Sequence, residues 1–189
     1  VLFRSSLIST GIVKIPLANF QIDSSGSVSG GLLNQFALDE YQGNLRLATT
    51  IDNTSLSWLY GWPATDQQSS STVYVLGPKL NRLGQLSDLG QSERIYAVRF
   101  IADQGYVVTF RQTDPLYVID LSNPNQPQKQ GELKIPGYSS YLHPLGNHLL
   151  FGLGMENGQV KVSLFDTSNS AKPLEKASYK LNEYYSEAG

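Results

Sequence analysis

The chain has 189 residues, enough for one or two domains, and carries 14 Lys+Arg against 16 Asp+Glu. That near-neutral balance removes the electrostatic case for a nucleic-acid or anionic-membrane partner. With no Cys, disulfides, thiolate metal sites and Cys nucleophiles are excluded, and the longest apolar runs are too short to span a bilayer.

The chain opens on Val1, and its one Met is Met155, so we read it as a processed product, an excised piece or an incomplete frame. No charged region, apolar stretch and small-residue cleavage site follow one another near the start. A first strand pair is expected at Gly11–Ile22 and Val28–Leu33, bent at Asp23-Ser24-Ser25-Gly26. It reads as the outer half of a four-stranded unit, residues 1–33, that precedes three complete ones.

Those three units share one order of features and span 34–86, 94–133 and 139–181. Tyr74 and Tyr117, Tyr106 and His148, and Asp120 and Asp166 recur at offsets of roughly 45 residues. In the first unit, residues 34–38 are expected as the opening strand, Asp39-Glu40 as a solvated hairpin turn, and Ile51–Ser71 as a long insertion. In the second, the strands are Ile95–Ile101, Tyr106–Phe110, Leu116–Leu121 and Gln128–Leu133. Asp103-Gln104-Gly105, Thr113-Asp114-Pro115 and Asn123-Pro124-Asn125 separate them, because these residues supply turn backbone angles or lack a ladder donor. The third runs through SSYLHPLGNHLLFGLG and QVKVSLFDTSNSAKPLEKASYKL, and 182–189 look like the start of a further unit.

Four antiparallel strands per unit of about 45 residues predict an all-β chain with β-propeller architecture: three full blades with partial blades at both ends. A β-sandwich with evenly spaced strands is the alternative fold. The unpaired ends of such an arc would invite pairing with another chain, and the remaining blades of a longer parent are expected partners.

The run ERIYAVRFIADQGYVVTFRQTDPLYVIDLSNPNQPQKQGELKIPGYSSYLHPLGNHLLFGLG, together with LLNQFALDEYQGNLRLATT and VKVSLFDTSNSAKP, resembles bacterial and archaeal secreted proteins with a C-terminal β-propeller domain. The resemblance covers Leu32 to the C-terminus and is weakest over Trp58–Thr72. It implies a secreted or cell-surface propeller, in some members lipid-anchored or joined to other modules. It carries no assigned reaction and no catalytic residues, and its members are much longer than this chain.

Binding residues of a propeller collect on the loops of one face and along the inner strands. The insertion holds both tryptophans, Trp58 and Trp62, and Tyr60, whose flat faces suit a sugar or a protein partner or, equally, a lid over their own blade. Arg111 and Asp114 either pin their loop or meet a ligand. Arg46 and Arg99 interrupt apolar strands, which calls for pairing between blades or, for Arg99, an anionic ligand at the channel. His143, on an inner strand, is a channel candidate; with His148 it forms too small a set for a metal site. Asp120 and Asp166, each two residues before Ser or within a Ser-Asn run, are expected to cap turns.

No nucleophile–base pair, Walker loop or HExxH motif occurs, and no metal or cofactor is expected. The reading is an extracellular binding or interaction module, its ligand a polysaccharide or a protein. A catalytic propeller acting on polysaccharide, as a hydrolase or lyase, and a purely structural scaffold are the alternatives.

Overall fold

A computed structural model describes residues 8–51, 69–90, 92–110 and 114–182. Fifteen strands appear among them. A hairpin of β1 (Ser9–Lys14) and β2 (Ser24–Ser29) comes first. β3 (Gly31–Leu32), β4 (Leu38–Tyr41), β5 (Asn44–Ile51), β6 (Ser70–Leu76) and β7 (Arg82–Leu89) form the next sheet. β8 (Arg94–Ile101), β9 (Gln104–Phe110), β10 (Asp114–Asp120) and β11 (Gln128–Ile135) form the second. β12 (Tyr138–Gly146), β13 (Leu149–Glu156), β14 (Gln159–Asp166) and β15 (Leu174–Lys180) form the third. Each later sheet is antiparallel and ordered as its strands occur in sequence, which is the blade order expected above and not the split pairing of a sandwich.

The core lies in the seams between sheets. Along β10, Leu116 and Val118 pack toward the third sheet, while Tyr117 and Ile119 pack toward the first. A strand buried on both faces reads as a continuous apolar run, which is why LYVI carries no polar alternation. β6 repeats this, with Val73 and Val75 on one seam and Tyr74 and Leu76 on the other, against Val28 of the hairpin.

One contact recurs at every seam. The outer strands of the hairpin and of the first two sheets, β2, β7 and β11, each carry a glycine that receives the last-hairpin turn of the next sheet. A Cβ on Gly26 would sit 3.1 Å from the Leu80 carbonyl oxygen, and one on Gly84 would sit 2.5 Å from that of Pro124. One on Gly131 would strike the Ser170 carbonyl. At Gly84 and Gly131 only a residue without Cβ admits so close a backbone, and at Gly26 a Cβ would be tight, so these glycines set the spacing of the sheets. Opposite them stand Ile12, Val75 and Val118, and the register places Ala177 in the same position opposite Leu164.

The turns that dock there are shaped by their own side chains. Asp120 Oδ1 accepts the Ser122 N–H at 2.8 Å, and Asp166 Oδ1 accepts that of Ser168 at 3.0 Å, the turn-capping role expected of both. Hydrogen bonds from Ser168, with further support from Lys176, bring the Asp166 carboxyl down to about 2.

Four local expectations are corrected. Residues 34–38 do not open the first blade as a strand. Asn34 Oδ1 accepts the Phe36 N–H at 2.9 Å and starts a 3-10 turn over Gln35–Ala37, so β5 pairs with two short pieces, β3 and β4, on either side of it. The side chain of Asn competes with the ladder, and fully buried Ala37 plugs the seam below. Asp39 and Glu40 belong to β4; the turn is Gln42-Gly43, both at positive φ. The first hairpin turns at 15–23, where Pro16 ends β1, and the Ser-Ser-Gly run expected as a bend is strand β2. Asp114 and Pro115 begin β10; Pro115 lies opposite Lys134 of β11, while the pairing with β9 begins at Leu116. The insertion expected at Ile51–Ser71 is flanked by β5 and β6, whose ends take Ile51, Ser70 and Ser71, and residues 52–68 lie outside the described residues.

Two outcomes follow. Gly84→Val and Gly131→Val should each lose about 1–3 kcal/mol of stability through overpacking, while Ala177→Val should be near neutral, as measured by urea unfolding. Because Asp166 titrates below its unfolded value of 3.8, its turn adds stability above pH 4 that fades as the pH falls toward 2. The stability gap between the wild type and Asp166→Ala should therefore be full at pH 7 and narrow steadily from pH 4 to pH 2; a gap at pH 2 as wide as at pH 7 contradicts the role of the charge.

Candidate functional site on the inner rim

β8 and β12, the first strands of the second and third sheets, contact each other at an inner rim, and β8 also meets the 3-10 turn of the first sheet there. Arg99 projects from β8. Its Nε donates to the Leu142 carbonyl of β12 at 2.9 Å. Its guanidinium carbon lies 4.2 Å from the centroid of the Phe36 ring and 5.5 Å from that of Tyr141. Phe36 and Tyr141 themselves meet edge to face at 5.7 Å. Residues from three successive sheets thus close on one cation, and the Asn34-capped turn is what carries Phe36 to it.

Tyr141 extends the cluster. Its hydroxyl lies 3.1 Å from Nδ1 of His143, and the two rings stack with centroids 6.2 Å apart. His143 is exposed and Arg99 is half-buried. Among the described residues no carboxylate pairs with Arg99. A guanidinium set against two aromatic rings, with no carboxylate partner among the described residues, is arranged to accept a carboxylate, sulfate or phosphate through its terminal nitrogens.

Arg46 shows the contrasting arrangement. It is 3% exposed, ion-paired to Asp39, and donates to the Ala102 carbonyl of the next sheet. Tyr41 and Phe100 flank its guanidinium at 4.8 and 5.2 Å. Every charge is answered, so Arg46 is the blade-to-blade pin expected of it. Lys161 is likewise committed: Glu156 and Glu175 lie 3.0 Å away. Burial would lower its ammonium pKa, but hydrogen bonds to Glu175 and Glu156 outweigh that and raise it. Tyr106, its hydroxyl pushed up by burial, joins Gln104 and Thr167 at the seam between the second and third sheets.

Of the candidates read from sequence, Arg99 and His143 are brought onto one rim. Trp58, Tyr60, Trp62 and Arg111 lie outside the described residues, as does the side chain of Asp114. His148 sits in the β12–β13 turn at φ +59° and serves through its carbonyl, which accepts from Thr167. Among the described residues, no group of three or more His, Asp or Glu is close enough to hold a metal, and no helix is long and apolar enough to cross a membrane. Sequence reasoning missed Phe36 and Tyr141. Tyr141 had a readable signal, standing two residues from His143 and hence on the same strand face; Phe36 had none, because its position depends on the turn that replaced a strand.

The β-propeller domain family model matches residues 5–189. An uncharacterised protein of Methanocaldococcus jannaschii is 51% identical over 180 residues, covering 95% of this chain and 27% of its own length. An uncharacterised protein of Archaeoglobus fulgidus is 50% identical over 180 residues, covering 93% of this chain and 27% of its own length. The chain thus spans about a quarter of the length of these relatives.

The two arginines should separate stability from site. Arg46→Ala should cost about 1–3 kcal/mol, since it leaves Asp39 and the Ala102 carbonyl unanswered. Arg99→Ala should cost about 1 kcal/mol, the scale of its stacking and one hydrogen bond. Thermal melting of the two variants side by side tests this order.

Proposed function

This chain belongs to the β-propeller domain family, and from that premise we propose that it is a binding module that holds an anionic group of its ligand at the inner rim. The observation that carries the reading is Arg99, stacked on Phe36 and Tyr141 and without a carboxylate partner among the described residues. The rings orient the guanidinium and shield one side of it from water, which strengthens its attraction for an anion. Tyr141 and His143 add a hydroxyl and an imidazole beside it, suited to hydrogen-bonding the rest of an acidic sugar or an acidic peptide. An acidic oligosaccharide fits both features, with its carboxylate on Arg99 and a sugar face on an aromatic ring. We place the module at the cell exterior, a reading supported by its resemblance to secreted propeller proteins.

The test is titration calorimetry with oligogalacturonate and with a neutral cello-oligosaccharide. The acidic oligomer should bind and the neutral one should not. Arg99→Ala should abolish the heat, and Arg99→Lys should weaken binding at least tenfold, because an ammonium keeps the charge and loses the planar fork. Equal binding of both sugars, or an Arg99→Ala variant that binds as the wild type does, contradicts the proposal.

A further inference from the structure

Tyr141 touches two basic side chains at the rim. Its ring lies against the Arg99 guanidinium, and its hydroxyl sits 3.1 Å from Nδ1 of His143. Tyr141 and His143 stand two residues apart on one face of β12, and their rings stack.

A phenol is a better donor than acceptor. Beside a neutral imidazole its one proton goes to Nδ1, which leaves the imidazole's own proton on Nε2. The hydroxyl then has only lone pairs to show a ligand, and these repel an anion. A protonated imidazole carries hydrogen on both nitrogens. Nδ1 then donates to the Tyr141 oxygen, and the phenol proton is free to point at a ligand. One proton gained at His143 thus adds a positive charge near Arg99 and turns the hydroxyl from acceptor into donor.

The surroundings of His143 offer few competing charges. β13 sets Phe151 opposite it, and the charge on that strand, Glu156, lies at its far end with Lys161 and Lys180. From β8 come Arg99 and, at the start of the strand opposite Phe110, Arg94. β9 has no charged residue, and its Tyr106 hydroxyl meets Gln104 and Thr167. The 3-10 turn brings Phe36 and no charge. Within β12 the other titratable group is Tyr138, packed on Phe110 and on Tyr96 of β8. His148, in the turn that follows β12, is the second imidazole to control for.

We propose that the rim site binds its anion together with a proton, held on His143, and that this proton turns the Tyr141 hydroxyl toward the anion. The inference rests on the reading of Arg99 as an anion site. Histidine changes charge between about pH 5 and 8, where a carboxylate stays ionised, so the site's charge changes while the ligand's does not. Affinity therefore rises as the pH falls, and by linkage the bound anion keeps His143 protonated to a higher pH.

Calorimetry of the full chain with oligogalacturonate at about pH 8 and about pH 5.5, at fixed ionic strength, tests this. Binding should be about tenfold tighter at the lower pH, the scale of one added charge at close range. In an NMR titration of wild-type His143, the oligomer should raise the midpoint by about one pH unit, the same tenfold seen from the proton's side. His143→Gln keeps a hydrogen-bonding side chain that does not titrate, and should flatten the profile. His148→Asn suits the positive φ of its turn and should leave the rise intact. Tyr141→Phe keeps the ring beside Arg99 and should show a smaller rise. An affinity that is equal at both pH values yet lost in Arg99→Ala overturns the proton uptake and leaves the anion site standing, whereas no binding at either pH overturns both. An unmoved His143 midpoint, a rise that survives His143→Gln, or one that vanishes in His148→Asn overturns the assignment to His143. A rise of full size in Tyr141→Phe overturns the role of the hydroxyl.

Discussion

The structure depends on how closely one sheet can approach the next. Gly26, Gly84 and Gly131 each let a neighbouring turn reach the backbone of an outer strand. That approach fixes the distance between sheets, and the distance decides what fills the seam. Side chains of Val and Leu size from both sides then complete the core, with Val75 and Val118 directly opposite the glycines. A Cβ at those points would push the outer strands apart and loosen contacts along the whole seam.

Polar groups pin the seams at their ends. Arg46 ties the first sheet to the Ala102 carbonyl of the second, and Gln104 with Tyr106 ties the second to Ser170 and Thr167 of the third. These side chains are spent on architecture. Arg99 differs in kind, because it spans the same distance between sheets yet answers no carboxylate among the described residues. The separation of an arginine paired with a carboxylate on an interior strand from one that meets none among the described residues on a first strand is what turns a packing description into a site.

The repeat made the blades legible, since turn residues and apolar runs at a spacing of roughly 45 residues reflect the strands directly. The four strands of the second sheet differ by three residues or fewer at each end from those read off the sequence. Legibility failed where a side chain competes with the ladder. Asn34 offers its own acceptor to the backbone and converts a strand into a turn. It failed also where Ser and Gly served as strand, because the reason for Gly26 is a neighbour more than fifty residues away. The rim site was half legible for the same reason: Arg99 and His143 stand out on their strands, whereas Phe36 reaches them only through the Asn34 turn.

The central claim is that residues from three successive blades converge on one arginine at the inner rim. The most direct measurement is a nuclear Overhauser experiment on aromatic-labelled protein, looking for a cross-peak between the rings of Phe36 and Tyr141. The edge-to-face pair at 5.7 Å predicts a clear cross-peak between them, lost or strongly weakened in an Asn34→Ala variant that frees the turn. Rings of these two residues with no cross-peak in the folded wild type would contradict the convergence and, with it, the site built on Arg99.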